Sequence, residues 1–143
     1  MHAKPSLPLW KGVSSINAED EPVLLVSEQG FGDTIQFIRY IKALSDQGVS
    51  VRLAAQSQLH DLIVASGLHP SPVTPADCSQ YNDGHWLPLL SLPRLLGVTP
   101  SNVIANEPYL RPLKRHLSKW RKLLSKESLP VVGIHWQGSQ LVE

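Results

Sequence analysis

The sequence predicts an α/β domain built on a doubly wound parallel sheet, and three observations carry that expectation. A continuous apolar run, Val23-Leu24-Leu25-Val26, has the pattern of a strand covered on both faces. A glycine loop and a stretch with helical spacing follow it. The same strand-then-helix order then recurs, and successive βα units imply parallel strands, because a crossover must carry the chain back before the next strand starts.

Residues 1–21 contain Pro5, Pro8, Gly12 and the acidic run Glu19-Asp20-Glu21, so they read as an extended lead-in. The domain then starts near Pro22 and runs to residue 129, with 130–143 set apart as the first strand of something further. After the first strand, Ile35, Ile38, Ile41 and Leu44 recur at helical spacing over 34–44, and Gly48 stands where a C-cap glycine belongs. A second strand is expected over 49–54, then a helix capped by Ser57, carrying Leu59, Leu62 and Ile63 and closed by Gly67. Pro70, Pro72 and Pro75 leave room only for a short strand around Val73. Residues 85–90 read as another strand, with Ser91 opening a brief helix that Gly97 ends. Leu113, Leu117, Trp120 and Leu124 define a last helix whose apolar stripe should be buried, and 131–136 reads as a final strand.

With 143 residues, 42% of them hydrophobic, the chain has material for one compact domain with a core. Thirteen Lys and Arg against 12 Asp and Glu leave a formal charge of +1, so no global field selects nucleic acid or an anionic partner. The single cysteine, Cys78, rules out an internal disulfide and a cysteine-based zinc cluster, which fits a reducing cytoplasm, and the six histidines show no zinc-ligand spacing. No metal and no membrane span are expected, since no apolar run reaches the roughly 18 to 20 residues that a bilayer requires.

The loop Gly30-Phe31-Gly32-Asp33, between a buried strand and a helix start, is the best candidate site. Three residues after Gly32 stands Ile35, so the dinucleotide fingerprint fails, and no Walker lysine follows; a dehydrogenase or a P-loop nucleotidase is disfavoured. Asp33 has two readings: an N-cap that completes a capping box with Gln36, or a reactive carboxylate. His85 beside Trp86 and His135 beside Trp136 are strand-borne and read first as structural hydrogen-bonding residues. Seven of the 13 basic side chains lie in 111–126 without an acid among them, a basic helix face that lacks the interleaved aromatics of a nucleic-acid platform.

Five ordered blocks then resemble a known family. They are Pro8-Leu9-Trp10-Lys11-Gly12, the run from Glu28 through Gln29, Gly30, Phe31, Gly32, Asp33, Thr34, Ile35 and Gln36 to Phe37 with Arg39-Tyr40, Leu89-Leu90-Ser91-Leu92-Pro93, Pro108-Tyr109-Leu110, and Gly133-Ile134-His135-Trp136-Gln137-Gly138. Together they are similar to the glycosyltransferase region of bacterial tetratricopeptide-repeat proteins, which resembles the family 9 heptosyltransferases and, more distantly, O-GlcNAc transferases. That resemblance implies a Rossmann-like fold forming the amino-terminal, acceptor-side half of a GT-B enzyme, with 131–136 as the first strand of a donor-binding domain whose remainder is missing. Where the family would bring an Asn-Pro-like pair, this sequence has Ser139-Gln140. By the same resemblance Asp33 is the candidate general base, with Gln29, Gly30, Phe31, Gly32 and Thr34 contacting the acceptor; His85 is the second choice of base to test, should Asp33 prove only a cap. The partners implied are a sugar or protein acceptor and the missing donor domain, and a nucleotide-sugar would bind only with that domain present. The unit alone should be inactive, and its strand 131–136 should seek cover, including from a second copy. The alternative is a noncatalytic Rossmann-like binding or assembly module, or the remnant of a truncated gene.

Overall fold

A computed structural model describes residues 5–12, 21–28, 30–103 and 107–134. It divides into two compact units, Met1–Pro112 and Leu113–Glu143.

The first unit is a mixed α/β structure with a three-stranded parallel sheet in the order β2-β1-β3, where β1 is Val23–Val26, β2 is Val51–Ala54 and β3 is His85–Pro88. Val23 pairs with both Val51 and His85, and Val26 with both Ala54 and Pro88, so β1 is the central strand and all three carboxyl ends lie together. All four residues of β1 are buried, as a strand covered on both faces requires. The short strand expected at Val73 exists as one parallel bridge to Ala54 on the outer edge of β2. At the opposite edge, Leu9 bridges Trp86, with Trp10 N–H donating to Trp86 O at 2.9 Å and Trp86 N–H to Pro8 O at 3.0 Å. The lead-in is therefore extended but not separate: Leu7 and Trp10 are both core residues.

Alternation along β1 splits the core. Val23 and Leu25 face one side, where Ile38, Ile41, Leu44, Leu59, Ile63, Leu89 and Leu92 pack, and Leu24 and Val26 face the other, with Leu7 and Cys78. The first side is the helical one. α1 (Phe31–Phe37) passes through a 3-10 turn (Ile38–Tyr40) into α2 (Ile41–Ser45), α3 (His60–Ala65) follows β2, and α4 (Leu92–Leu95) follows β3. On the second side the return from Val73 to β3 is made by a 3-10 helix, Pro75–Gln80. The chain thus winds on both faces, but with a full α layer on only one. Cys78 is buried there, and burial pushes its thiol pKa up, so it stays a protonated, unreactive thiol.

Helix ends follow the sequence where glycine governs them. Gly48 has φ of +80°, and Val49 N–H to Leu44 O with Gly48 N–H to Ser45 O form the two-bond C-cap that such a glycine permits; the same pattern recurs at Gly67 and Gly97. Helix starts differ from expectation. Thr34 N–H bonds to Gly30 O at 3.1 Å, so the first turn closes on Gly30, which is the N-cap, and Asp33 lies inside the first turn. The capping box of Asp33 with Gln36 is not formed. Likewise Ser57 is the first residue of a 3-10 turn capped by Gln56.

Two histidines pin the edge beyond β2. His60 Nε2 lies 2.9 Å from Ala55 O and 3.2 Å from Val73 O, so it carries the proton and donates to both carbonyls. His69 Nε2–H donates to Val51 O at 3.1 Å while its Nδ1 accepts from Ser71 N–H at 3.3 Å. Burial lowers the His69 pKa from its ordinary 6.5, against a smaller opposing pull from the Val51 carbonyl. The folded chain therefore favours the neutral ring. That contribution to stability is complete above the unfolded pKa of 6.5 and is lost as pH falls below it towards the lower folded value. We expect the thermal midpoint of His69→Gln to fall less steeply than that of the native chain as pH drops from about 7 to about 5; parallel slopes would remove His69 as the cause.

The second unit contains α5 (Lys114–Leu124) and an extended stretch to residue 134. Its expected burial fails: Trp120 is 53% and Leu124 37% exposed, and only Leu113 and Leu117 of the stripe are half-buried. Residues 131–134 form no strand and are exposed, since a lone strand without a ladder partner gains too little to persist. Residues 135 and 136 lie outside the described residues. No helix among the described residues is long and apolar enough to cross a membrane.

Candidate functional site

Strand order reverses at β1, with β2 on one side and β3 on the other, and in open α/β sheets ligands gather at the carboxyl ends beside such a reversal. The Gly30-Phe31-Gly32-Asp33 block falls there. Ser27 ends β1 with its N–H bonded to Ala54 O at 2.9 Å, and the chain turns into α1 three residues later. The exit from β3 turns to the same helical face, so the turn Leu89–Ser91 lies beside α1.

The candidate residues divide by exposure. Gly30, Phe31 and Gly32 are exposed, Phe31 by 47%, and Asp33 is half-buried. These four share one helical turn. Thr34 is fully buried, and its hydroxyl donates to Gln56 Oε1 at 2.9 Å, so it supports the loop from below and does not face a ligand. Gln56 follows β2 as the glycine loop follows β1, so this bond ties the two carboxyl-end loops together. Sequence reasoning passed over Gln56, although its place directly after a strand is a signal that could have found it. Gln29 lies outside the described residues.

His85 is not brought to this site. It is the first residue of β3, in register with Val23, and stands at the amino ends of the strands. Glu21 Oε2 lies 3.0 Å from His85 Nδ1, an ion-pair distance that lacks hydrogen-bond geometry. Asp33 and His85 are thus separated by the length of the sheet, roughly 10 Å or more at ~3.3 Å per residue.

Of the two glycines, Gly30 serves as the N-cap of α1, a position that favours glycine over alanine, whereas Gly32 has no structural cause of its own. Gly30 has φ of −67°, inside the range of any residue, and neither Gly30 nor Gly32 adopts a positive φ. A Cβ on Gly32 would meet no described atom within 4 Å, and one on Gly30 would meet only Asp33 Oδ2, at 3.7 Å. Inside a helix, glycine instead of alanine costs about 1 kcal/mol, so Gly32 sacrifices stability with no return from packing. Open space lies above them, with the Asp33 carboxylate at its margin.

An open cleft of about 800 Å³ lies elsewhere, between the carboxyl ends of α2 and α3 and the segment Pro108, Tyr109 and Arg111. Several of its polar groups engage one another. Lys42 Nζ bonds both carboxylate oxygens of Asp46 at 2.8 and 2.9 Å, and Arg39 stacks on Tyr109 at 4.8 Å while donating to its hydroxyl at 3.3 Å. Tyr109 in turn donates to Ile35 O at 2.8 Å, so these contacts fasten the segment after residue 107 to α1. Among the described residues no group of His, Cys, Asp and Glu is arranged to hold a metal. No family model, curated protein or solved structure matches the chain.

Proposed function

We propose that this chain forms the acceptor-side half of a GT-B glycosyltransferase of the heptosyltransferase-like kind, with the acceptor seated over Gly30 and Gly32 and its hydroxyl directed at Asp33. The observation that carries this reading is Gly32, in the first turn of the helix that follows the central strand, a glycine that neither backbone conformation nor packing demands. A ligand that approaches the backbone closely supplies the missing reason. The sheet order and the placement of the Glu28 to Phe37 block at the reversal support the same site. Transfer would be a displacement at the donor's anomeric carbon: the acceptor oxygen forms the new bond, its proton passes to the Asp33 carboxylate, and the nucleotide diphosphate leaves with the bonding pair. The nucleotide-sugar would be gripped by a second domain, so the unit alone binds acceptor without turnover.

Gly32→Ala tests this. The substitution adds a methyl group in open space at a helical φ, and we expect a stability gain of roughly 0.5–1 kcal/mol from the lower entropy of the unfolded chain. At the same time, amide shifts at residues 30–34 on titration with a panel of mono- and disaccharides should weaken or vanish. A variant that is more stable and binds sugars unchanged would leave the glycines without a ligand role and sink the reading. Sugar binding retained with no turnover, even beside a donor half, would favour the binding-module alternative.

A further inference from the structure

The second unit poses a separate problem. Of the 12 strongly exposed large apolar side chains among the described residues, seven lie in this unit: Trp120, Leu123, Leu124, Leu129, Val131, Val132 and Ile134. On α5 the arrangement is sorted. At about 100° per residue, Leu113, Leu117, Trp120 and Leu124 fall within about 60° of one another, and Lys114, Arg115, Lys119, Arg121 and Lys122 occupy the remaining arc. No acidic residue lies between Arg111 and Lys126.

We infer that α5 is an interfacial helix that lies on an anionic lipid surface, its Leu117, Trp120 and Leu124 stripe in the acyl boundary and its cations among the headgroups. Charge complementarity selects this occupant. A helix docking into a protein groove is held chiefly by its apolar face and carries mixed charge, whereas a helix whose Lys and Arg have no acidic residue among them matches a surface of one sign. Clusters of four to eight Lys and Arg on such a helix are what anionic headgroups attract. Trp120 sits in the middle of the stripe, where an amphipathic ring suits the headgroup boundary. Nucleic acid would satisfy the cations but leave Trp120 and Leu124 in water. The inference does not depend on the sugar-transfer reading, since it uses neither the glycine loop nor Asp33.

Flotation of the full chain with vesicles of equimolar phosphatidylglycerol and phosphatidylcholine tests it, with phosphatidylcholine vesicles as the comparison. The chain should float with the anionic vesicles, float little with the neutral ones, and release as salt rises to about 0.5 M. Its tryptophan emission should shift to the blue on binding, a shift that Trp120→Phe diminishes. Lys114→Gln with Arg121→Gln should weaken anionic binding about 30-fold, and Trp120→Asp, at an exposed position, should abolish it without lowering the thermal midpoint. Absence of flotation, equal flotation with both vesicles, or binding retained by Trp120→Asp overturns the proposal. So does a concentration-dependent dimer that Trp120→Asp dissociates, which would make the stripe an interface between copies. An oligonucleotide bound more tightly than the anionic vesicles would assign the cations to nucleic acid and overturn it as well.

Discussion

Gly84→Ala is expected to destabilise the first unit by about 4 kcal/mol, enough to unfold a large share of a marginally stable domain. Two terms add. Gly84 has φ of +86°, where an L side chain is strained by about 1–2 kcal/mol. A Cβ there would also overlap the carbonyl oxygen of Pro22, and that oxygen cannot withdraw, because it accepts the His85 N–H at 3.0 Å where β3 meets the start of β1. Relief would require breaking the first contact of the β1–β3 pair, so overpacking of roughly 1–3 kcal/mol is added to the strain. Chemical denaturation of Gly84→Ala against the native chain measures it. A change under about 1 kcal/mol would show that the Pro22 carbonyl moves freely and that the turn into β3 is not held as described.

Asp33→Asn should have the larger effect on activity and a small one on folding. As a residue of the first turn of α1, Asp33 interacts favourably with the helix dipole, and neutralising it should cost about 0.3–1 kcal/mol. Asparagine cannot take a proton near neutral pH, so in a protein that joins this unit to a donor-binding half, turnover should fall about 100- to 10,000-fold. Donor affinity should be unchanged, because under the proposed function the nucleotide would be gripped by the other half. Near-normal turnover in that two-domain protein would reduce Asp33 to a helix-terminal charge. The base would then have to come from elsewhere than His85, which the strand register places at the far end of the sheet.

These two residues show what kind of information a sequence carries. Asp33 could be singled out because its neighbours in the chain are its neighbours in space: a strand, two glycines and a helix start follow one another, and local order puts them on one turn. Its role as an N-cap could not be excluded at that level, since either Gly30 or Asp33 can close a first turn, and only the Thr34 to Gly30 bond decides between them. Gly84 attracted no notice, because what makes it necessary is Pro22, more than sixty residues earlier, held against it by strand pairing.

The sequence by itself determined the local elements of this protein: the buried strand Val23–Val26, the parallel βα repeats, the glycine C-caps at 48, 67 and 97, and the glycine loop after the first strand. Each depends on apolar periodicity or on the φ that a residue permits, which are properties of short stretches. Only the tertiary structure decided that residues 8–10 join the sheet beside Trp86, that Gln56 locks Thr34, that His85 stands away from Asp33, and that the stripe of α5 stays uncovered. Those outcomes depend on which edge, loop or face meets another, and pairings between residues tens of positions apart leave no periodic trace in the chain that makes them.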